Sequence, residues 1–361
     1  MVGILGGGQL ARMLALAGYP LGLDFVILDP SPDACAAQVA KQIVAEYDDS
    51  RALEDLARRC DLATFDFENV PAQAARFLAE RVPVYPSPAA LEAAQDRLGE
   101  KSLFKELAIP TPHFAPVDSR EILEAAVTAI GLPAVLKTRR FGYDGKGQAL
   151  LRRPEDLALA WEALGGVPLI LEGFVPFERE VSCLALRGQD GAILSYPLVE
   201  NRHREGILRL STAPYDSGDL TVQAQDHVQK LLTRLDYVGL LAVEFFVRDG
   251  RLIANEMAPR VHNSGHWTIE GAETSQFENH LRAVTGLPLG STKARGHSAM
   301  VNFIGQLPDR RDFLAVAGSH FHDYGKSSRP GRKVGHGTLR ADDPDTLAVA
   351  LRTVTGLGLD S

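Results

Sequence analysis

Short apolar runs alternate along the chain with stretches whose apolar residues recur every three or four positions. Residues 2–5 and 24–28 are runs of the first kind, which are typical of buried strands. Residues 219–235 are of the second kind, with Leu231 and Leu235 on one side of a predicted helix. The repeated alternation of the two patterns predicts an α/β protein.

Proline-rich breaks divide this pattern into units. Pro86 and Pro88 close a first unit that alternates strands and helices in the Rossmann manner. We expect domains at residues 1–90, 91–290 and 291–361, the last a small α/β unit. Within the second domain, a compact subdomain is predicted at about residues 111–168.

The glycine turn after the first strand matches a dinucleotide-binding pattern. Gly6, Gly8 and Ala11 open a helix, and Asp29 ends the second strand. The unit is too short for a complete two-half NAD fold, so tight packing or a substrate phosphate at the helix N-terminus is preferred. Three further polar residues lie at the carboxyl ends of predicted strands and have no assigned role: Gln9, Glu68 and Asn69.

Composition excludes several classes of function. The 361 residues are 45% hydrophobic and 23% charged, and the net charge of −8 is dispersed, which does not favour nucleic acid or an anionic membrane as a partner. Cys35, Cys60 and Cys183 form no CxxC pair and predict reduced, buried thiols. The first residues lack a signal-peptide pattern, and no apolar run approaches ~18 residues. We therefore expect a cytoplasmic protein without a membrane partner.

Residues 141–148, Phe-Gly-Tyr-Asp-Gly-Lys-Gly-Gln, form a glycine-rich hairpin tip between two strand-like runs. Its backbone can approach an anion closely and can also move. Lys137 ends the incoming strand and Lys146 lies in the tip, so two cations converge there. The spacing is not that of the P-loop. We interpret the segment as a lid over nucleotide phosphates, with an ordinary flexible turn as the alternative.

An apolar strand at residues 167–171 ends in an extended segment, residues 172–175, that suits an adenine ring. Its backbone can pair with the edge of the base, and Phe174 and Val175 can cover it. Glu180 can accept hydrogen bonds from ribose hydroxyls, although such carboxylates usually lie on the surface.

Glu244 lies within an apolar strand that turns back toward Asn255 and Glu256. An unpaired carboxylate there would cost several kcal/mol. A three-residue loop at residues 249–251 would place Glu244 opposite Glu256, whereas a two-residue Asp-Gly turn would place it opposite Asn255. We favour the first arrangement, because two apposed carboxylates with Asn255 and nucleotide phosphates would form a magnesium site.

The polar run at residues 257–267 follows directly. Arg260 can bind a carboxylate or phosphate with two parallel hydrogen bonds, and His262 and Asn263 can orient a small polar substrate. His262 and His266 are four residues apart, but without an obvious third ligand a zinc site is disfavoured.

A second basic cluster lies at residues 329–336, with Arg340 just beyond. A Pro-Gly turn flanked by cations suits a phosphate monoester. The alternative is a solvated basic loop.

Taken in order, these features resemble the ATP-grasp superfamily, in which two α/β subdomains hold MgATP between them. Residues 6–10, 142–148, 258–268 and 329–336 further resemble the N5-carboxyaminoimidazole ribonucleotide synthetase family of purine biosynthesis, and the similarity spans nearly the whole chain. The resemblance implies an α/β (α+β) ATP-grasp fold with a Rossmann-like pre-ATP-grasp domain at the N-terminus and a small C-terminal domain.

The resemblance also implies roles for individual residues. ATP would be held by Arg97, Lys137, Gly142, Tyr143, Asp144, Gly145, Lys146, Gly147, Gln148, Glu172, Gly173, Phe174, Val175, Glu180, His203, Asn255 and Glu256. Magnesium would be held by Glu244 and Glu256. The other substrates would be bound by Tyr143, Asp144, Arg260, His262, Asn263, Lys333 and Arg340. The residues implied in catalysis are Lys137, Asp144, Arg260 and His262, with Asp144 and His262 as candidate proton acceptors.

The implied reaction combines ATP, bicarbonate and aminoimidazole ribonucleotide and gives ADP, phosphate and the N-carboxylated nucleotide. Carboxyphosphate is the implied intermediate, and the implied enzyme is a homodimer. Whether CO2 is released before the amine attacks stays open. Three alternatives remain: another ATP-grasp ligase, such as a formate-using glycinamide ribonucleotide transformylase or a biotin carboxylase; an NAD-dependent oxidoreductase; and a nucleotide-sensing module. The last would require a degraded lid or acidic pair, and both are intact.

Overall fold

The computed structural model describes residues 1–142, 145–215 and 217–358, whose strands form three sheets. Two residues with predicted roles, Tyr143 and Asp144, lie outside the described residues. Mixed helix and strand content confirms the predicted α/β class. Among the described residues, the helices are all too short or too polar to cross a bilayer.

The N-terminal unit contains a parallel sheet covered by helices. Its elements are β1 (Val2–Leu5), α1 (Gln9–Gly18), β2 (Phe25–Asp29), β3 (Lys41–Val44), α2 (Ser50–Arg59), β4 (Leu62–Phe65) and α3 (Ala72–Ala79). The strand order is β3-β2-β1-β4. β1 and β2 are buried along most of their length, as expected for parallel strands covered on both faces. β3 was not predicted, because two of its four residues are polar and none of the four is buried.

Two helices, α4 (Pro88–Gln95) and α5 (Arg97–Glu106), connect this unit to the rest of the chain. They meet at Asp96, whose extended backbone (φ −119°, ψ 112°) interrupts helical geometry. The Asp96 carboxylate accepts a hydrogen bond from the N–H of Leu98 and caps α5. The carboxylate also pairs with the guanidinium groups of Arg139 at 2.7 Å and Arg140 at 3.6 Å. Asp96 therefore fixes where α5 begins.

A small antiparallel sheet forms the next layer. Its elements are β5 (Phe114–Val117), α6 (Arg120–Ile130), β6 (Ala134–Thr138), β7 (Gln148–Leu151), α7 (Asp156–Leu164) and β8 (Leu169–Gly173). In the order β5-β8-β6-β7, β8 and β6 are the two interior strands. The subdomain therefore extends to Gly173 rather than ending at about residue 168.

A nine-stranded sheet contains the remaining strands. The elements are β9 (Arg179–Arg187), β10 (Ile193–Ser195), β11 (Val199–Arg204), β12 (Ile207–Ala213), α8 (Asp219–Arg234), β13 (Gly239–Arg248), β14 (Arg251–Ala258), α9 (Thr268–Gly271), α10 (Gln276–Thr285), β15 (His297–Ile304), α11 (Arg310–Leu314), β16 (Ser319–Asp323), β17 (Lys333–Ala341) and α12 (Pro344–Gly356). Its order is β14-β13-β9-β11-β12-β15-β17-β16, with β10 paired to β9.

The C-terminal strands continue this large sheet instead of forming a sheet of their own. β15 pairs with β12, with Leu210 opposite Val301. The same junction packs Leu210 into a core with Phe303 and Phe313. The residues predicted as a separate C-terminal domain thus share both hydrogen bonds and core with the preceding domain.

Helix α8 covers one face of the sheet beside β9, β13 and β14. Leu231 and Leu232 are fully buried, whereas Leu235, predicted on the same side, is only partly buried at the helix end. Burying each leucine contributes about 2 kcal/mol. This layer makes the β13–β14 hairpin a rigid platform.

Candidate active site

A cleft with a volume of ≈ 880 Å³ opens where the three sheets meet. Its wall includes the following residues from the predicted set: Arg97, Gly142, Lys146, His203, Glu244, Glu256, Arg260, His262, Asn263 and Lys333. Other residues of that set are not on the wall: Lys137, Gly145, Gly147, Gln148, Glu172, Gly173, Phe174, Val175, Glu180, Asn255 and Arg340. A cleft of this size, with convergent charged groups, suits a nucleotide and a second small substrate.

The turn between β13 and β14 has two residues rather than the predicted three. Arg248 pairs with Arg251, which leaves Asp249 and Gly250 as the loop. Both loop residues have positive φ, 50° and 68°. These angles match a type I′ hairpin turn, which Asp-Gly favours. The predicted loop was therefore wrong.

The predicted pairing of the two carboxylates is nevertheless present, because a β-bulge changes the register. Glu244 lies opposite Glu256, and Phe245 lies opposite Ala254. Asn255 is the extra residue between the two pairs, without a counterpart on β13. The bulge compensates for the shorter turn and places both carboxylates on the same side of the hairpin.

The two carboxylates have opposite electrostatic environments. Burial raises the pKa of Glu244 to about 7, with His203 opposing and Glu256 reinforcing the change. Burial alone would also raise the pKa of Glu256, but Arg97 outweighs it and holds that pKa at about 2. The Arg97 guanidinium donates to Glu256 at 2.8 Å. His262 Nε2 lies 3.7 Å from Glu244 Oε1.

The donors around the pair fit a magnesium ion. Both carboxylates supply hard oxygen ligands, and the Oδ1 atom of Asn255 is buried without a hydrogen-bond partner among the residues that the structure describes. Within the described residues, the carboxylates, histidines and cysteines form no group of three that could hold a metal. A site with two carboxylates and open positions is typical of magnesium, which keeps water and phosphate ligands.

The glycine loop between β6 and β7 approaches this pair. Gly145 has φ +76°, and an added Cβ would lie 2.8 Å from the carbonyl oxygen of Glu205. A side chain would therefore be strained here and would also collide with the β11–β12 turn. The Arg97 guanidinium donates to the carbonyl of Gly142 at 3.5 Å. One arginine thus contacts both the loop and Glu256.

Glu172, expected beside an adenine ring, instead forms a buried ion pair. Its Oε2 accepts from Lys137 Nζ at 2.9 Å and lies 3.6 Å from Lys101 Nζ. Burial opposes ionisation, but Lys101 and Lys137 lower the pKa of Glu172 to about 2. The N–H groups of Gly173 and Phe174 are also engaged, with the carbonyls of His113 and Pro133. Adenine would therefore have to pair with other backbone groups of this segment.

Glu180 and His203 form the next contact along the cleft. His203 Nδ1 lies 2.9 Å from Glu180 Oε2. Burial alone would lower the pKa of His203, yet the hydrogen bond to Glu180 and the charge of Glu244 raise it to about 9. His203 is therefore protonated at neutral pH and adds a cation to the cleft.

Arg260 is paired with Glu68, a residue without an assigned role in the sequence. Its guanidinium donates to Glu68 Oε2 and links the N-terminal unit to the large sheet. Burial and the charge of Arg260 lower the pKa of the neighbouring His262 to about 3. The His262 ring is therefore neutral, with Nδ1 2.8 Å from Ser264 Oγ. The side-chain amide of Asn263 exchanges hydrogen bonds with that of Asn302 at 2.6 and 3.0 Å.

Most of the second basic cluster reaches the cleft, but Arg340 does not. The cations that this part of the chain contributes to the wall are Lys326, Arg329, Arg332 and Lys333. Arg340 lies seven residues along β17 from Lys333, which corresponds to ~23 Å of strand. Its guanidinium donates to Asp342 at 2.5 Å and to the Arg295 carbonyl at 2.9 Å. Arg340 therefore lies away from the cleft wall, because the residue belongs to the far end of the strand.

Lys326 was not predicted, because it lies three residues before the basic cluster at residues 329–336 and only the folded loop brings it to the cleft. Its Nζ donates to the side chain of Gln9, which gives that residue a structural role. The position of Lys326 directly before a Ser-Ser-Arg-Pro-Gly loop is the sequence signal that could have identified it as a cleft residue.

The N-terminal glycine turn is occupied by the protein's own carboxylates. The N–H of Gly7 donates to Asp29 at 2.7 Å, and the N–H of Gly8 donates to Asp66 at 2.7 Å. Asp66 also accepts from the N–H of Ala11 at 3.3 Å. The N–H groups that would bind a dinucleotide pyrophosphate are therefore already engaged, so the alternative of NAD binding there fails. Tight packing explains the glycines.

Three family models together match most of the chain. The ribonucleotide synthetase preATP-grasp domain matches residues 1–95, the ATP-grasp domain matches residues 102–277, and the phosphoribosylaminoimidazole carboxylase C-terminal domain matches residues 298–349.

Individual relatives agree with these matches. The N5-carboxyaminoimidazole ribonucleotide synthase of Pseudomonas aeruginosa is 59% identical over 357 residues, which is 99% of each chain. The crystal structure of the corresponding synthetase from Thermus thermophilus is 59% identical, with a TM-score of 0.96 over 99% of this chain and 98% of that one. The enzyme of Aspergillus clavatus, in complex with ADP and 5-aminoimidazole ribonucleotide, is 31% identical with a TM-score of 0.91 over 99% and 96%.

Proposed function

The chain belongs to the N5-carboxyaminoimidazole ribonucleotide synthase family of ATP-grasp ligases, and we propose how its cleft carries out that activity. Members of the family convert aminoimidazole ribonucleotide to its N5-carboxylated form in purine biosynthesis, with ATP as the energy source. We propose that the carboxyl group comes from bicarbonate, which ATP activates as carboxyphosphate.

The apposition of Glu244 and Glu256 beside a cationic loop carries this proposal. Two carboxylates on one side of a hairpin, next to Arg97 and Lys146, suit a magnesium–triphosphate complex. Glu244 and Glu256 would hold the ion, which would supply positive charge next to the transferring phosphates. Arg97 would release Glu256 in part and turn toward the nucleotide, because its guanidinium already reaches Gly142.

Phosphoryl transfer from ATP to bicarbonate depends on position and charge more than on covalent chemistry. Lys137, fixed by Glu172 at 2.9 Å, would approach the phosphates from the strand beneath the glycine loop. The loop would close over them and exclude water, which otherwise hydrolyses the acyl phosphate. Protonated His203 would stabilise further negative charge.

Arg260 would hold bicarbonate in line with the terminal phosphate. Its pairing with Glu68 orients the guanidinium, and a misplacement of ~1 Å can cost ~100-fold in rate. The Nδ1 atom of neutral His262, which lies next to it, accepts from the N–H of Ser264 at 3.3 Å, so Nε2 carries the ring proton and would donate to the substrate rather than accept from it. Asp144, the other candidate acceptor, lies outside the described residues.

Lys326, Arg332 and Lys333 would bind the phosphate of aminoimidazole ribonucleotide. All three line the cleft next to Gln9 and the carboxyl ends of the first sheet. Several cations around one loop match a phosphate monoester, which carries up to two negative charges. The amine of the nucleotide would then face the carboxyphosphate near Arg260.

A coupled ADP-release assay tests the proposal. ADP formation should require bicarbonate and rise when aminoimidazole ribonucleotide is added, and formate should not replace bicarbonate. The N5-carboxylated product should be detected with isotope from bicarbonate. ADP release supported by formate, or by bicarbonate with biotin, would instead favour another ATP-grasp ligase.

The resemblance also leads us to propose a cytoplasmic homodimer. Sedimentation velocity at assay concentrations tests the oligomeric state, and a monomer that retains full activity would contradict it.

A further inference from the structure

β14 is an edge strand of the large sheet, yet its outer edge is covered by protein. An edge strand presents N–H and C=O groups that need partners when they are buried. Helix α5 and the segment that follows it supply those partners. This edge includes Asn255, the bulged residue between the two carboxylate pairs.

Four kinds of contact cover the edge around the bulge. The N–H of Ala254 donates to the carbonyl of Pro110 at 2.7 Å, and the hydroxyl of Thr111 donates to the carbonyl of Ala254 at 3.0 Å. Lys101 Nζ donates to the carbonyl of Asn255 at 2.5 Å and to that of Ala254 at 3.3 Å. Glu100 Oε1 accepts from the N–H of Met257 at 2.6 Å.

Glu100 and Lys101 therefore bond the backbone on both sides of Glu256. Lys101 holds the carbonyl of the residue before it, and Glu100 holds the N–H of the residue after it. Both side chains are almost fully buried, with 0% of Lys101 exposed. Glu172 balances the charge of Lys101 from 3.6 Å. A buried lysine directed at a bulge carbonyl is an expensive arrangement if only packing is needed.

We propose that Lys101 and Glu100 are positioning residues for the metal-binding carboxylates. They hold the bulge at Asn255 and so keep Glu256 opposite Glu244. A strand that lost the bulge would shift by one residue and turn Glu256 to the other face of the hairpin. This inference rests on the proposed magnesium site at Glu244 and Glu256.

The test compares Lys101→Met with Thr111→Val, which also removes a hydrogen bond to this edge but leaves the bulge carbonyl bonded. Affinity for ADP is measured by calorimetry with excess Mg²⁺ and with EDTA, and urea unfolding gives stability. Loss of a residue that orients a metal ligand typically weakens metal affinity by about 10–100-fold. Lys101→Met should lower the Mg²⁺-dependent gain in ADP affinity by about 10-fold or more, whereas Thr111→Val should keep it within about 2-fold.

A second pair of variants covers the case in which Lys101→Met does not fold. Glu100→Leu removes the acceptor for Met257, and Glu100→Gln keeps one. Glu100→Leu should weaken the Mg²⁺-dependent gain, and Glu100→Gln should restore most of it. Equal gains in wild type, Lys101→Met and Glu100→Leu would overturn the positioning role. An ADP affinity that does not respond to Mg²⁺ in wild type would instead overturn the proposed metal site.

Discussion

Replacing each metal-site carboxylate by its amide should change the stability of the magnesium-free protein in opposite directions. Glu256 is ionised and paired with Arg97, so Glu256→Gln leaves a mostly buried guanidinium without its partner. Glu244 is buried where ionisation is unfavourable, so Glu244→Gln removes a charge that the fold resists. Both variants also lose the repulsion between the two carboxylates, and this loss stabilises each variant.

The magnitudes follow from the two pKa values. The pKa of Glu244 rises from an ordinary 4.5 to about 7 in the fold, which limits the free-energy cost of ionising it there to ~3.4 kcal/mol. Relaxation of the structure around the pair reduces the expected gain to about 1–2 kcal/mol at pH 8. For Glu256, a pKa of about 2 gives the same limit, but 41% of its side chain is exposed. Solvent screening reduces its expected loss to about 1 kcal/mol.

The sign of the effect depends on pH differently for the two residues. The raised pKa of Glu244 means that its stabilising contribution is complete below pH 4.5 and lost as the pH rises through about 7. The gain from Glu244→Gln should therefore appear at pH 8 and vanish at pH 5. The lowered pKa of Glu256 means that its contribution persists above pH 4.5 and is lost only as the pH falls through about 2. Glu256→Gln should be destabilised at both pH 5 and pH 8.

Urea unfolding in EDTA at the two pH values measures these differences. ADP binding with and without Mg²⁺ is measured on the same samples, and both variants should lose the Mg²⁺-dependent gain and at least about 100-fold in ATP turnover. A shift of stability in the same direction for both variants at pH 8 would refute the opposite environments. Near-normal ADP production by either variant would refute the metal assignment.

Three other predictions concern separate parts of the cleft. Lys333→Ala should raise the apparent KM for aminoimidazole ribonucleotide by about 10-fold or more and spare ADP binding, because it removes one phosphate contact. Arg340→Ala, the control in the same steady-state assay, should leave the KM and ADP binding unchanged. His203→Gln should lose about 1–2 kcal/mol of stability at pH 6 and almost none at pH 10, as measured by urea unfolding at the two pH values. The raised pKa of His203 means that its contribution to the free energy of unfolding is complete below pH 6.5 and is lost as the pH rises through about 9. Gly6→Ala should lose about 2–4 kcal/mol in urea unfolding, because φ there is +102° and the added Cβ would lie 1.8 Å from Asp66 Oδ1, and an unchanged midpoint would refute the packing role of the turn.

The sequence predicted the elements and the family well, because strand and helix periodicities and the specific motifs are local signals. It misplaced Arg340, because a run of cations after a Pro-Gly turn does not reveal where the next strand starts. β17 begins at Lys333, so the residues before this strand lie in the loop at the cleft, whereas residues near its other end lie far from the cleft. Lys326 was missed for the same reason, since the loop that returns it to the cleft is a tertiary feature.

The register of the carboxylate pair is the clearest feature that local sequence patterns could not predict. Alternation along β13 and β14 allows either register, and the Asp-Gly turn by itself favours the one that separates Glu244 from Glu256. The observed register needs an extra residue at Asn255, and a bulge leaves backbone groups that must be satisfied elsewhere. Those partners come from α5, more than 150 residues earlier in the chain. The geometry of the proposed metal site is thus decided by a helix that contributes no ligand to it, and motif matching alone cannot reveal such a residue.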